Sequence, residues 1–118
     1  MNQVNLTLLR DAIRDFAKAR DWEQFHTPKN LIMALSVETA ELMEHFQWLT
    51  PEQSLHLDAK SRTEVAQEIA DVLIYLTRLA DVLEIDPLQA AFDKIQINAQ
   101  KYPVEKSRGH NTKYDKLD

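Results

Sequence analysis

The chain has 118 residues, 44% of them hydrophobic and 28% charged, which suits one compact globular domain spanning residues 1–118. Its net charge of −5 argues against a protein that tracks nucleic-acid phosphates, and the absence of cysteine excludes a disulfide framework, a thiolate metal site and a cysteine nucleophile. One glycine and four prolines supply little turn chemistry for a β-rich fold, so an all-α, four-helix bundle-like architecture is expected.

The pattern predicts a first helix from about Leu6 to Arg20, with Leu9, Ile13, Phe16 and Ala17 on one stripe. Asp21 to Thr27 breaks that periodicity and carries Trp22, Phe25 and His26. Thr27-Pro28 reads as an N-cap followed by proline at the first helical position, opening a second helix that runs to about Trp48. Thr50-Pro51-Glu52-Gln53 repeats the signal and adds the capping-box glutamine, predicting a short helix. After a polar connection at residues 58–61, Ser61 and Glu64 form a further capping box for a third long helix ending near Glu84. Asp86-Pro87 starts a fourth, with Leu88, Phe92, Ile95 and Ala99 on its expected buried stripe, and Pro103 stops it after Tyr102. Residues 104–118 form a polar tail with Lys106, Arg108, Lys113 and Lys116.

The N-terminus lacks the charged and apolar regions of a secretory signal. The most apolar stretch, residues 70–83, is interrupted by Asp71, Arg78 and Asp81, so no membrane span and a cytoplasmic location are expected. The third long helix is apolar nearly all round. Val65, Ile69, Val72, Leu76, Leu79 and Leu83 fill one face, and Ala66, Ala70, Leu73, Ile74 and Ala80 extend it. A helix of this kind is buried on several sides, which in so short a chain predicts a homodimer or homotetramer.

Acidic residues interrupt these apolar surfaces. On the second helix Glu38 falls inside the stripe of Leu31, Leu35, Leu42, Phe46 and Leu49, with Glu41 beside it and His45 on the same flank. On the third, Glu68 and Asp71 stand three apart at the border of the main apolar face. Residues three apart on a helix are neighbours, with Cβ atoms about 5–6 Å apart. Two such helices packed face to face would gather four carboxylates, which repel and are driven toward protonation unless a cation joins them. Mg²⁺ suits such a site, because it favours oxygen ligands and commonly shares them with substrate phosphates. The competing reading leaves these acids as solvated charges, with Glu38 paired to Lys29 or Arg78.

Glu38-Thr39-Ala40-Glu41-Leu42 followed, with 26 residues between Glu41 and Glu68, by Glu68-Ile69-Ala70-Asp71 resembles the E-x-x-E…E-x-x-D signature of MazG-like all-α nucleoside triphosphate pyrophosphohydrolases. Within that superfamily the chain is most similar to dCTP pyrophosphatases. The blocks Arg20 to His26, Glu44 to Trp48 and Lys101 to Gly109 carry the likeness further, so that it spans about Leu8 to Leu117. Val37 departs from the acidic residue common at that place in the wider superfamily.

The resemblance implies Mg²⁺-dependent hydrolysis of a nucleoside triphosphate between its α and β phosphates, giving a monophosphate and pyrophosphate, with dCTP or a modified dCTP as the expected substrate. It implies metal ligation by Glu38, Glu41, Glu68 and Asp71, with Glu38 or Glu41 activating the water. Trp22 and Trp48, both at helix ends, are the natural base-stacking residues, and the resemblance favours that role over ordinary packing. His26 gains a substrate-binding role from its place in the matched Arg20 to His26 block. Tyr75 is implied to line the nucleotide pocket, and Asn98, Lys101 and Tyr102 to bind substrate. Two rivals stand against this reading. A di-iron helical bundle needs Glu-x-x-His on two core helices, and only Glu23 and His26 have that spacing. A non-catalytic helical oligomer would carry its acidic cluster for solubility alone.

Overall fold

Every element in the computed structural model, which describes residues 3–116, is a helix or a helical turn. The chain divides into two compact units, Met1–Glu84 and Ile85–Asp118. The first contains α1 (Leu6–Ala19), a 3-10 turn (Glu23–Phe25), α2 (Pro28–Glu44), α3 (Pro51–Ser54) and α4 (Ala59–Val82). The second contains α5 (Pro87–Lys101), α6 (Val104–Ser107) and a 3-10 turn at Tyr114–Lys116. The all-α expectation holds, and no described helix is long and apolar enough to cross a membrane.

Local chemistry explains where each helix of the first unit begins and ends. The side chain of Asn5 caps α1 by accepting from the Leu8 N–H at 2.9 Å. At the other end Asp21 adopts a left-handed backbone, φ 55°. The Trp22 N–H reaches the Ala17 carbonyl (2.9 Å) and the Asp21 N–H that of Lys18 (3.1 Å). Those paired bonds form a Schellman closure. The usual apolar contact accompanies it, because the Trp22 ring meets Phe16 edge-on at 5.7 Å between centroids. Thr27 caps α2 and Thr50 forms a full capping box with Gln53, as the sequence signals require.

Two boundaries differ from expectation. Helix α2 ends at Glu44 rather than near Trp48. Thr50 is held extended (φ −71°, ψ 159°), as a residue before proline prefers, so the chain must leave the helical path earlier. It does so through turns with Phe46 bonded to Met43 and Leu49 to Phe46. At α4, Asp58 takes the cap, accepting from the Ser61 N–H at 2.7 Å. The helix therefore starts at Ala59, and Ser61 is its third residue rather than its cap.

Helix α4 is the axis of the first unit, with both α1 and α2 packed against it. Among the described residues, Ile13 and Ala17 from α1, Leu31 from α2, and Val65, Thr77 and Ala80 from α4 are buried. Leu31, at 1% exposure, is the largest side chain fully enclosed. Much of the apolar surface predicted to be covered is not covered in the single chain: Ile69, Leu73 and Leu76 on α4 are exposed. On α5 the expected buried stripe is likewise open, with Leu88, Phe92 and Ile95 all exposed. Periodicity identified an apolar face correctly there, but not anything that covers it.

Candidate metal centre

The α2–α4 packing brings three of the predicted carboxylates together. One oxygen each from Glu38, Glu41 and Glu68 lies within 4.8 Å of the other two. Glu38 and Glu68 are half-buried, and each has one carboxylate oxygen, Oε2, that is enclosed and has no hydrogen-bond partner. Asp71, also half-buried, stands outside this 4.8 Å group but is near enough for its charge to act on Glu38.

The electrostatics follow from that geometry. Burial is the main cause that pushes the Glu38 carboxyl from 4.5 up to about 7, followed by the adjoining Glu41, the charge of Asp71 and contact with Glu68. Neither Lys29 nor Arg78 pairs with Glu38 among the described residues. Arg78 is turned instead toward Asp81 and His26. Two orphaned, enclosed oxygens and an uncompensated group of like charges are the condition a hard divalent cation relieves. The donor set is all carboxylate oxygen, which suits Mg²⁺ and not a soft thiophilic metal. Glu38, Glu41 and Glu68 could hold such an ion, with Asp71 completing the acidic surround.

The remaining sequence-predicted residues fall in different settings. Trp22 is 44% exposed, with one edge occupied by Phe16, and Trp48 is 86% exposed in the turn after α2. Tyr75, one turn beyond Asp71 on α4, is half-buried. His26 follows the 3-10 turn that contains Glu23, so the only Glu-x-x-His spacing lies off the core helices and the di-iron arrangement has no basis. In the second unit Asn98 is exposed on α5. Lys101 lies over the Tyr114 ring at 4.9 Å, and Tyr102 meets the same ring edge-on at 6.1 Å.

A group that the sequence patterns did not single out is the chain of Arg14, Asp81, Arg78 and His26. Arg14 on α1 grips Asp81 on α4 through two bonds of 2.6 and 2.5 Å. Asp81 also lies 3.5 Å from Arg78, and the Arg78 Nε–H donates to His26 Nδ1 at 3.0 Å. The signal available in sequence was the pair Arg78 and Asp81, two charges of opposite sign three apart on an otherwise apolar helix.

The MazG-like family model matches residues 33–117. Among curated relatives, a dCTP pyrophosphatase 1 of Mus musculus is 45% identical over 105 residues, covering 87% of this chain and 62% of the relative. One of Bos taurus is 43% identical over 118 residues, covering 98% of this chain and 70% of the relative. The chain thus spans about 62% of the length of the mouse relative it matches. A crystal structure of a pyrophosphatase from Archaeoglobus fulgidus DSM 4304 superimposes with a TM-score of 0.80 at 42% identity, covering 87% of this chain and 96% of that one. The helices, the two acidic pairs and these similarities agree, and the chain belongs to the MazG-like family.

Proposed function

We propose that residues 1–118 form a Mg²⁺-dependent nucleoside triphosphate pyrophosphohydrolase, acting in the cytoplasm on dCTP or a modified dCTP. The observation that carries this reading is the convergence of Glu38, Glu41 and Glu68 across the α2–α4 contact, with two enclosed oxygens unpartnered. The names of the relatives, dCTP pyrophosphatase 1 and pyrophosphatase, support the reaction class and, for the curated ones, the base.

Glu38, Glu41, Glu68 and Asp71 hold the cation in this reading. When bound, Mg²⁺ offsets the triphosphate charge, polarises the attacked phosphorus and lowers the pKa of water at the site. Glu38 or Glu41 orients that water and accepts its proton. The water oxygen bonds to phosphorus as the α–β bridging bond breaks, and the pair of products is a nucleoside monophosphate and pyrophosphate. Trp48 and Trp22 contact the base or sugar, Tyr75 lines the nucleotide pocket, His26 bonds the base, sugar or a phosphate, and Asn98, Lys101 and Tyr102 contact substrate on the strength of the family likeness. The working form is a homodimer or homotetramer, supported by the uncovered apolar faces of α4 and α5. Its partner is a free nucleotide, not a nucleic acid or a membrane.

A panel of NTPs and dNTPs with Mg²⁺, scored for pyrophosphate, tests the reaction and the base together. Asp71→Asn and Glu38→Gln should abolish nearly all turnover while the chain stays folded. Undiminished turnover in both variants refutes the metal centre and favours the non-catalytic oligomer. A purine preference overturns the cytosine assignment alone.

A further inference from the structure

The Arg78–His26 contact has a chemical consequence that depends only on which atoms meet. An arginine Nε–H is always protonated in a protein and can only donate. At 3.0 Å from His26 Nδ1, it requires that nitrogen to be an unprotonated acceptor. The ring proton of His26 must then sit on Nε2. Arg78 is itself fixed: its side chain is 11% exposed and that of Asp81 10%, and the two lie 3.5 Å apart. Asp81 is in turn gripped by Arg14 from α1. The relay therefore runs from the α1–α4 packing to one ring nitrogen in the segment between α1 and α2.

We propose that Arg78, anchored by Asp81, is a positioning residue that locks His26 as a neutral Nε2–H donor for an uncharged oxygen of the substrate nucleoside, a base carbonyl or a sugar hydroxyl. This inference rests on the reading of the chain as a nucleotide-binding enzyme and adds to it a residue that touches no substrate. A phosphate oxygen would be served best by an imidazolium, which carries charge as well as a proton. Arg78 denies His26 that form, because an imidazolium would point Nδ1–H at the guanidinium. Burial first, and the Arg78 charge second, hold the His26 imidazole below its ordinary range, with Glu23 opposing. An enzyme that chooses among triphosphates has the same phosphates in every candidate, so selectivity must come from groups aimed at the nucleoside. A histidine with one fixed tautomer discriminates donors from acceptors, which a freely exchanging ring does not.

The test uses the 118-residue chain with Mg²⁺ and two independent readouts. Nitrogen-15 NMR of the wild type at neutral pH should show His26 with a bare Nδ1 and a protonated Nε2. Arg78→Lys keeps the cation beside Asp81 but removes the Nε–H, and should shift the His26 signals toward tautomer averaging. Calorimetric binding of α,β-methylene dCTP, which resists hydrolysis between the α and β phosphates, should weaken about tenfold in Arg78→Lys and His26→Ala, a loss of the size expected for one hydrogen bond. His26→Gln, whose amide N–H falls near the Nε2 position, should recover part of it. Inorganic tripolyphosphate should bind all four proteins alike. The 3′-deoxy analogue of α,β-methylene dCTP separates the two nucleoside sources: a penalty that persists assigns the base carbonyl, and one that vanishes assigns the sugar hydroxyl. A protonated Nδ1 in the wild type, unmoved His26 signals in Arg78→Lys, or an equal loss of tripolyphosphate affinity would each overturn the inference. Because binding is read without turnover, an inactive wild type sinks the proposed reaction without deciding this point.

Discussion

Replacing Glu38 by glutamine should stabilise the metal-free protein at neutral and alkaline pH while disabling it in Mg²⁺. In the folded chain the Glu38 carboxyl titrates at about 7, against 4.5 ordinarily, because it is buried beside Glu41, with Asp71 and Glu68 adding to the effect. The folded state therefore holds a proton at Glu38 that the unfolded state has released between those two values. Stability from this group is complete below about pH 4.5 and is lost as pH rises through about 7. A difference of that size corresponds to about 3 kcal/mol at roughly 1.4 kcal/mol per unit. Since Glu38 is only half-buried, solvent screening reduces the expected effect to about 1–2 kcal/mol.

Glutamine keeps the shape and removes the charge. The gain for Glu38→Gln over wild type, measured by denaturant unfolding in chelator at equal protein concentration, should be near zero at pH 4.5 and reach its full value by pH 8. Taking the difference cancels the opposing contributions of His26, whose value is lowered, and of Asp81, held low chiefly by the Arg14 hydrogen bonds and lost only at more acid pH. Added Mg²⁺ should reverse the order, because binding stabilises only the chain that retains its ligand. A variant that is less stable than wild type in chelator at pH 8, or a difference that does not vary between pH 4.5 and 8, would refute the view of Glu38 as a strained carboxylate awaiting a cation.

Trp48→Ala removes a side chain that is 86% exposed, so unfolding free energy should change by no more than about 0.5 kcal/mol. Substrate KM should nevertheless rise by about tenfold or more, the loss of one base stack at roughly 1–3 kcal/mol, with Mg²⁺ affinity unchanged; a shift confined to metal affinity would move the base site elsewhere. Leu31→Ala opens a cavity at the one large side chain fully enclosed among the described residues and should cost about 2–5 kcal/mol in denaturant unfolding. A loss below about 1 kcal/mol would show that α2 and α4 are not held together there.

The acidic centre was legible because it violates a pattern. Glu38 occupies a position where helical periodicity calls for leucine, and a charge in that place has to be compensated. Capping chemistry was legible for the same local reason at Thr27 and Thr50, where the residue, the proline and the partner lie within one turn. At α4 the same logic pointed to Ser61, whereas the cap is Asp58, three residues earlier, which accepts from the Ser61 N–H. The exposed stripe of Leu88, Phe92 and Ile95 shows a different limit, since periodicity states that a face is apolar and says nothing about what covers it.

Arg78 shows the deepest of these limits. Helical spacing makes it an equally good neighbour for several acids, and the sequence offered Glu38 as its partner. The decision is made by long-range packing: α1 brings Arg14 to Asp81, Asp81 restrains Arg78, and His26 arrives 52 residues earlier in the chain. Among the described residues no lysine or arginine pairs with Glu38. Arg78, the cation that the competing reading set against Glu38, is thus directed to His26 and Asp81 by contacts that no local spacing encodes.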